Sequence, residues 1–276
     1  MEPTKTFLKN LLDKSVSRNK IFKRNILKEY LQILVLDFIY SHPKYSRLVF
    51  YGGSCLSHCF GLPRLSEDLD FVDLKNEINA AKLANDLEVY FKKNTDLTLT
   101  TVAQKLRIYL KFLILRELGL SNKNESDLLF LKIEVFKDFV FCKKYKTEFI
   151  PLFKLNKSIL IKTFDLPTLM ATKIRAILYR KWKKTNKKGK TLVKVKGRDY
   201  FDLMWYLKKE VKPNIGCIEN IKNKRELREN LFKIIEKIDR KSIWLDLEAL
   251  IENKDFVKKL SKNIKKILKR EISKIA

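Results

Sequence analysis

Glycine is scarce in this chain. Only seven occur in 276 residues, and two of them, Gly52 and Gly53, stand side by side before Ser54. Cysteine is as sparse: Cys55, Cys59, Cys142 and Cys217 repeat no paired spacing. Cys55, His58 and Cys59 share one short segment, but no second cluster completes a zinc site. The four thiols are therefore expected to be small buried apolar side chains. The N-terminal residues Met1 to Lys5 show no apolar run of the kind a secretory leader needs, so no leader is expected and the cytoplasm is the expected location. The apolar stretch Leu31 to Tyr40 is too short to span a bilayer and is interrupted by Asp37, so no membrane partner is expected. No internal repeat and no Pro/Gly/Ser-rich linker appears.

Acid is also in deficit. Asp and Glu number 32 against 60 Lys and Arg, for a formal net charge of +28. Such an excess makes nucleic acid the leading macromolecular partner. A lysine-rich genome composition accounts for part of it, and an acidic protein partner would satisfy the same charge. Apolar residues make up 45% of the chain, enough to exclude disorder and to build a real core.

The chain is organised around Phe50 to Asp73. Leu48 to Tyr51 reads as a short strand, Gly52 and Gly53 as a tight turn, and Ser54 as the N-cap of a helix. Exposed N–H groups at a helix start, with glycines permitting close approach, suit phosphate. Farther on, Asp68 and Asp70 alternate with Leu69 and Phe71. Residues two apart on a strand share a face, so the carboxylates stand together while the apolar residues enter the core. Adjacent carboxylates repel, and a cation between them is the simplest reason for the arrangement. Oxygen donors of this kind suit Mg²⁺.

Before this segment, residues 5–14 and 19–41 read as helices, the second closed by His42-Pro43. After it come a helix over 76–94, strands over 97–102 and 106–115 (the second open to a helical reading), and a strand over 128–136. Glu134 repeats the apolar–acid–apolar pattern of Asp70, either as a third carboxylate of a metal site or as an ordinary solvent-facing strand residue. A short strand follows at 159–163. A helix then runs from Thr168 to about Trp182. Lys173 falls on its apolar stripe, an awkward place unless its head reaches a buried anion or snorkels out. From Arg180 to Arg198 the chain has many lysines and no acid. That run is either a solvated loop or a contact for a phosphate backbone. Asp199 and Asp202 sit one turn apart at the next helix start, more acid than capping requires. The remainder is helical and basic. The division falls near residue 155, giving an N-terminal αβ part over 1–155 and a mostly helical part over 156–276.

Together these residues resemble the AbiEii/AbiGii family of nucleotidyltransferase-like toxins, of polymerase-beta-type fold, over roughly residues 48 to 207. One motif is met by Gly52, Gly53, Ser54, Leu56, Arg64, Ser66, Asp68, Asp70 and Phe71. A helix motif is met by Lys173, Ala176 and Ile177, and the last by Arg198, Asp199, Asp202 and Leu203. The resemblance implies an α+β fold: a nucleotidyltransferase core of mixed sheet and helices, followed by a helical C-terminal half that completes the site. It implies the toxin half of a toxin–antitoxin or abortive-infection (phage-defence) system, with a separate antitoxin as partner. It implies transfer of a nucleotide from an NTP to an acceptor, with two Mg²⁺ ions during catalysis; an RNA acceptor, the 3′ end of tRNA, agrees with the basic charge.

In that reading Asp68, Asp70, Lys173 and Asp199 are catalytic, and Asp68, Asp70 and Glu134 hold metal. Gly52, Gly53, Ser54, Arg64, Ser66 and Lys173 bind the nucleotide. Lys183, Lys184, Lys187, Lys188, Lys190 and Arg198 meet nucleic acid. A buried ion network is the alternative role of Lys173, Arg198 and Asp199. Transfer to a protein or small molecule, and non-catalytic binding of NTP or RNA, are the competing functions.

Overall fold

The strand that carries the alternating aspartates lies inside a seven-stranded mixed sheet. The computed structural model describes residues 2–180, 184–185, 191–193 and 195–275, without the side chains of 184–185 and 191–193. The chain divides into two units, one of residues 1–139 with 147–163, the other of residues 140–146 with 164–276.

In the first unit, β1 (Val49–Tyr51) pairs antiparallel with β2 (Asp68–Val72), placing Phe50 opposite Phe71 and Tyr51 opposite Asp70. β2 runs parallel to a strand over Leu128–Phe136, β5, with Asp68 opposite Lys132 and Asp70 opposite Glu134. The hairpin β3 (Leu99–Gln104) and β4 (Arg107–Leu113) extends the sheet beyond β5. β6 (Thr147–Lys154) and β7 (Lys157–Phe164) complete the order β3-β4-β5-β2-β1-β7-β6. Leu155 and Asn156 join the last two with positive φ of 52° and 58°, as a two-residue hairpin link requires. β6 is the strand that sequence periodicity does not announce. It is an edge strand, and Phe149 and Phe153 face solvent from it, so its pattern of apolar residues does not mark a core face.

Period-two burial fixes which way β2 faces. Leu69 and Phe71 are fully buried, and the Phe71 ring stacks on Phe50 at 5.1 Å. Helices surround the sheet. α1 (Thr4–Asp13) packs on α2 (Lys20–Ser41), whose start is capped by the Asn19 side chain. α3 (Gly52–Phe60) links β1 to β2, and α4 (Ala80–Asn94), capped by Asn79, covers β3. The expected helix over 76–94 thus starts later, because Asn76 adopts a left-handed φ of 56° and Asn79 supplies the cap. The segment 106–115, open to a helical reading, is a strand over Arg107–Leu113.

The second unit is helical. Asp165 caps α5 (Leu166–Tyr179), with Pro in its first turn. α6 (Gly197–Lys208) packs against α5, α8 (Arg240–Leu247) and α9 (Lys254–Ser273). α7 (Lys224–Ile235), capped by Asn223, packs on α9. Within the lysine-rich run, Lys184–Thr185 and Thr191–Val193 form a short antiparallel ribbon, β8 and β9. One expectation for cysteine fails: Cys142 and Cys217 are joined as a disulfide across 75 positions of sequence. They meet because segment 140–146 packs with the turn at Ile215–Cys217, a proximity that no local spacing signals. Cys55 stays a free, buried thiol, and Cys59 is free and half-buried. Among the described residues, no helix is long and apolar enough to cross a membrane.

Phe71→Ala removes a stacked, fully buried ring from the strand that carries the aspartates. The expected loss of stability is about 3–5 kcal/mol, measurable by urea unfolding of the whole chain.

Candidate functional site

The first cluster is built by a close approach of backbone to side chains. Gly52 opens α3 with φ of +82°, and a Cβ there would lie 2.5 Å from Asp70 Oδ2. A Cβ on Gly53 would lie 2.6 Å from Arg64 Nη2 and 3.1 Å from Ser66 Oγ. The structure therefore gathers Gly52, Gly53, Arg64, Ser66 and Asp70, five residues expected at the site. α3 starts without a side-chain cap, and Tyr51 holds the cap position. Ser54, expected as the cap, is instead the third residue of the helix. Its hydroxyl is buried with no hydrogen-bond partner among the described residues, so it is turned away from any ligand in solvent. Arg64 is also buried, and its Nη1 donates to the Leu65 carbonyl at 2.8 Å.

The loop between α3 and β2 is held by Gln32 and His58, neither of them expected at the nucleotide site. Gln32 of α2 donates from Nε2 to the Ser66 carbonyl at 2.9 Å. Its Oε1 lies 2.9 Å from His58 Nε2. Because the Gln32 amide donates to Ser66, its oxygen accepts, so His58 Nε2 carries the proton and Nδ1 is bare. That nitrogen is buried without a partner among the described residues. Burial, aided by Lys154, pushes the His58 pKa down to about 3, so the ring stays neutral.

On the same face of the sheet, the register sets four charged residues of β2 and β5 together. Lys132 Nζ lies 3.0 Å from Asp68 Oδ2 and 3.2 Å from Glu134 Oε1. Arg107 of β4, opposite Glu134, donates from Nε to the same oxygen at 2.6 Å. Burial opposes the Lys132 charge, but Asp68 and Glu134 outweigh it and raise its pKa. Glu134, expected as a third metal ligand, is thus engaged by two cations. No group of three potential ligands arises among the described residues. Asp68 and Asp70 remain as paired oxygen donors at half-buried positions of one strand. Paired carboxylates are donors that suit Mg²⁺; Asp68 is paired with Lys132 in this structure, and an ion there would take the place of that ammonium.

The second cluster lies in the helical unit. Lys173 of α5 does not snorkel. Its Nζ is 2.8 Å from Asp199 Oδ1 and 2.8 Å from Asp202 Oδ2, both carboxylates of α6. The Asp202 side chain is fully buried. Burial alone would raise the Asp199 pKa, but Lys173, with Arg180 and Lys196, outweighs it and holds the carboxyl below its ordinary value. Arg198, expected at a phosphate backbone, is engaged by Asp246. Its backbone N–H donates to Oδ2 at 2.8 Å and its Nη2 to Oδ1 at 2.9 Å. Asp246 thereby satisfies the start of α6, a role only the approach of α8 could reveal. Lys183, Lys187, Lys188 and Lys190 lie outside the described residues, as does the Lys184 side chain.

A glycine-led helix start packs on a strand of paired aspartates in a mixed sheet. The backbone is similar to that of MenT4, a nucleotidyltransferase toxin of Mycobacterium tuberculosis H37Rv. Its TM-score is 0.59 at 11% identity, covering 99% of this chain and 90% of that one, a likeness of fold alone. JHP933 of Helicobacter pylori aligns over 91% of this chain and 94% of its own at 17% identity, with a TM-score of 0.48. No curated protein sequence matches the chain. Residues 36–273 match the family described as "Nucleotidyl transferase AbiEii toxin, Type IV TA system", and the chain belongs to that family. It is therefore a nucleotidyltransferase toxin of a type IV toxin–antitoxin system, with an antitoxin and an NTP as the partners that family implies.

Gly52→Ala forces a left-handed backbone on alanine and drives its Cβ into Asp70. The strained backbone alone costs about 1–2 kcal/mol. Adding Asp70→Gly should recover the part of the loss due to the clash, a coupling that a double-mutant cycle of unfolding free energies reads directly. Additive losses would show that the approach is not real.

His58 supplies a pH dependence. Its folded pKa is depressed, so unfolded chains take up protons first. Its contribution to stability is whole above about pH 6.5 and is lost as pH falls toward about 3. His58→Leu should be less stable than the parent at pH 7.5, and the gap should narrow at pH 4.5 in paired urea titrations. A gap independent of pH would mean that the ring is not held neutral.

Proposed function

We propose that this toxin moves a nucleotide from an NTP to an RNA acceptor, the 3′ end of tRNA, with Mg²⁺. The observation that carries this reading is the placement of Asp70, half-buried on β2, directly against the uncapped glycine start of α3. One residue pair thus sets a carboxylate for a metal beside free helix N–H groups for phosphate. Asp68 and Asp70 would hold Mg²⁺, which when bound supplies charge stabilisation at the phosphate undergoing displacement.

The backbone N–H groups of Gly52, Gly53 and Ser54 take the phosphates of the NTP, and the Ser66 hydroxyl lies beside them. Arg64 is buried under Gly53, which makes it the residue that holds this loop in shape. Glu134 keeps Lys132 and Arg107 in place behind the aspartates. Lys173 is an ammonium fixed by Asp199 and Asp202, so it offers a charge in one geometry for phosphate oxygens. The net charge of +28 supports a polyanionic acceptor.

Labelled NTPs, Mg²⁺ and fractionated RNA and protein test the proposal together. Label is expected in the small-RNA fraction. Label in protein would redirect the reading to a protein acceptor, and label in neither would leave a binding protein. Asp70→Ala should lower transfer more than ~100-fold, or about 2.7 kcal/mol of barrier, while circular dichroism shows the fold retained. Full transfer by that variant would remove the aspartates from the chemistry.

A further inference from the structure

The helical unit contains a small recess beside the Lys173–Asp199 pair. It has a volume of about 50 Å³ and lies where α5 ends and α6 begins. Ala176 and Ile177 form its apolar wall, and Arg180, Lys196, Asp199 and Tyr200 its polar side. Among the described residues, cations outnumber anions around it. Lys173, Arg180 and Lys196 face Asp199 and Asp202, and Lys173 already binds both carboxylates at 2.8 Å. Arg180 reaches Asp199 only loosely, at 3.6 Å, and is about half exposed. Lys196 is in a worse position. Burial lowers its pKa most, and Arg198, Arg180 and Lys173 lower it further, with only Asp199 acting the other way.

A half-buried lysine among like charges destabilises a fold unless an anion joins it. A guanidinium and an ammonium flanking one recess match a phosphate group, which accepts from both. We propose that Arg180 and Lys196 form a phosphate subsite in the helical unit, separate from the α3 helix start. The volume suits a single phosphate group rather than a triphosphate. The inference rests on the nucleotidyl-transfer reading only for the source of that phosphate, the NTP or the backbone of the RNA acceptor.

Acylation of lysines, followed residue by residue by peptide mass spectrometry on the whole chain, tests the subsite without requiring turnover. Replacing chloride by inorganic phosphate at constant ionic strength should slow acylation of Lys196 by about tenfold, equivalent to about 1.4 kcal/mol. Exposed Lys258 should be unaffected. Arg180→Gln should abolish most of the protection, and Arg180→Lys should keep part of it. Equal Lys196 rates in phosphate and chloride, or full protection in Arg180→Gln, would overturn the proposal.

The same assay with ATP and with a short oligoribonucleotide separates the two sources, because only the true ligand should protect at lower concentration than free phosphate. If neither betters inorganic phosphate, the assignment to this enzyme's substrates fails. Absence of transfer by the parent chain, with phosphate protection of Lys196 intact, would sink only the enzymatic reading.

Discussion

The N-terminal unit depends on one steric constraint, the contact between the backbone at Gly52–Gly53 and the side chains of Asp70, Arg64 and Ser66. No side chain fits on either glycine, because the space belongs to a carboxylate oxygen and a guanidinium. The helix start is thereby locked to β2, and β2 is locked into the sheet by Phe50 and Phe71. The loop between them cannot drift, since Gln32 holds the Ser66 carbonyl and a neutral His58 holds Gln32. The N–H groups at the start of α3 and the aspartates of β2 thus share a fixed geometry.

The helical unit solves a different problem. It buries a lysine by surrounding its head with two carboxylates of one helix face. A buried ion set of this kind contributes little to stability over an apolar core, and breaking it is costly. Arg198 and Asp246 close the start of α6 beside it, so the helix carrying Asp199 and Asp202 is set from both sides. Arg180 and Lys196 stand at the edge of this network and add positive charge beside Asp199.

Much of this was legible in the residue order. Alternation at Asp68–Phe71 foretold a strand with two carboxylates on one face, and the structure shows that strand. The position of Lys173 on an apolar stripe called for a buried anion, and Asp199 and Asp202 supply it. The pairing of Gly52 with Gly53 signalled a close approach but not what approaches. Glu134 was legible as a same-face acid. The cations that engage it, Lys132 and Arg107, depend on strand order β4-β5-β2, which no local pattern encodes. Arg198 looked like a phosphate contact because its partner Asp246 lies far along the chain. Gln32 and His58 are invisible as site residues, since nothing in an amphipathic helix distinguishes a glutamine that meets a loop from one that meets water.

The sequence by itself determined the elements and the chemistry available. Period-two and helical spacing depend on neighbours in the chain, and the motif residues state which donors exist. Tertiary structure alone decided which donors are available and which are already engaged. Ion pairs and close approaches form between residues tens of positions apart, and their strength depends on burial and register. Register placed Lys132 between Asp68 and Glu134, helix packing gave Asp246 to Arg198, and a helix that began two residues early turned Ser54 inward.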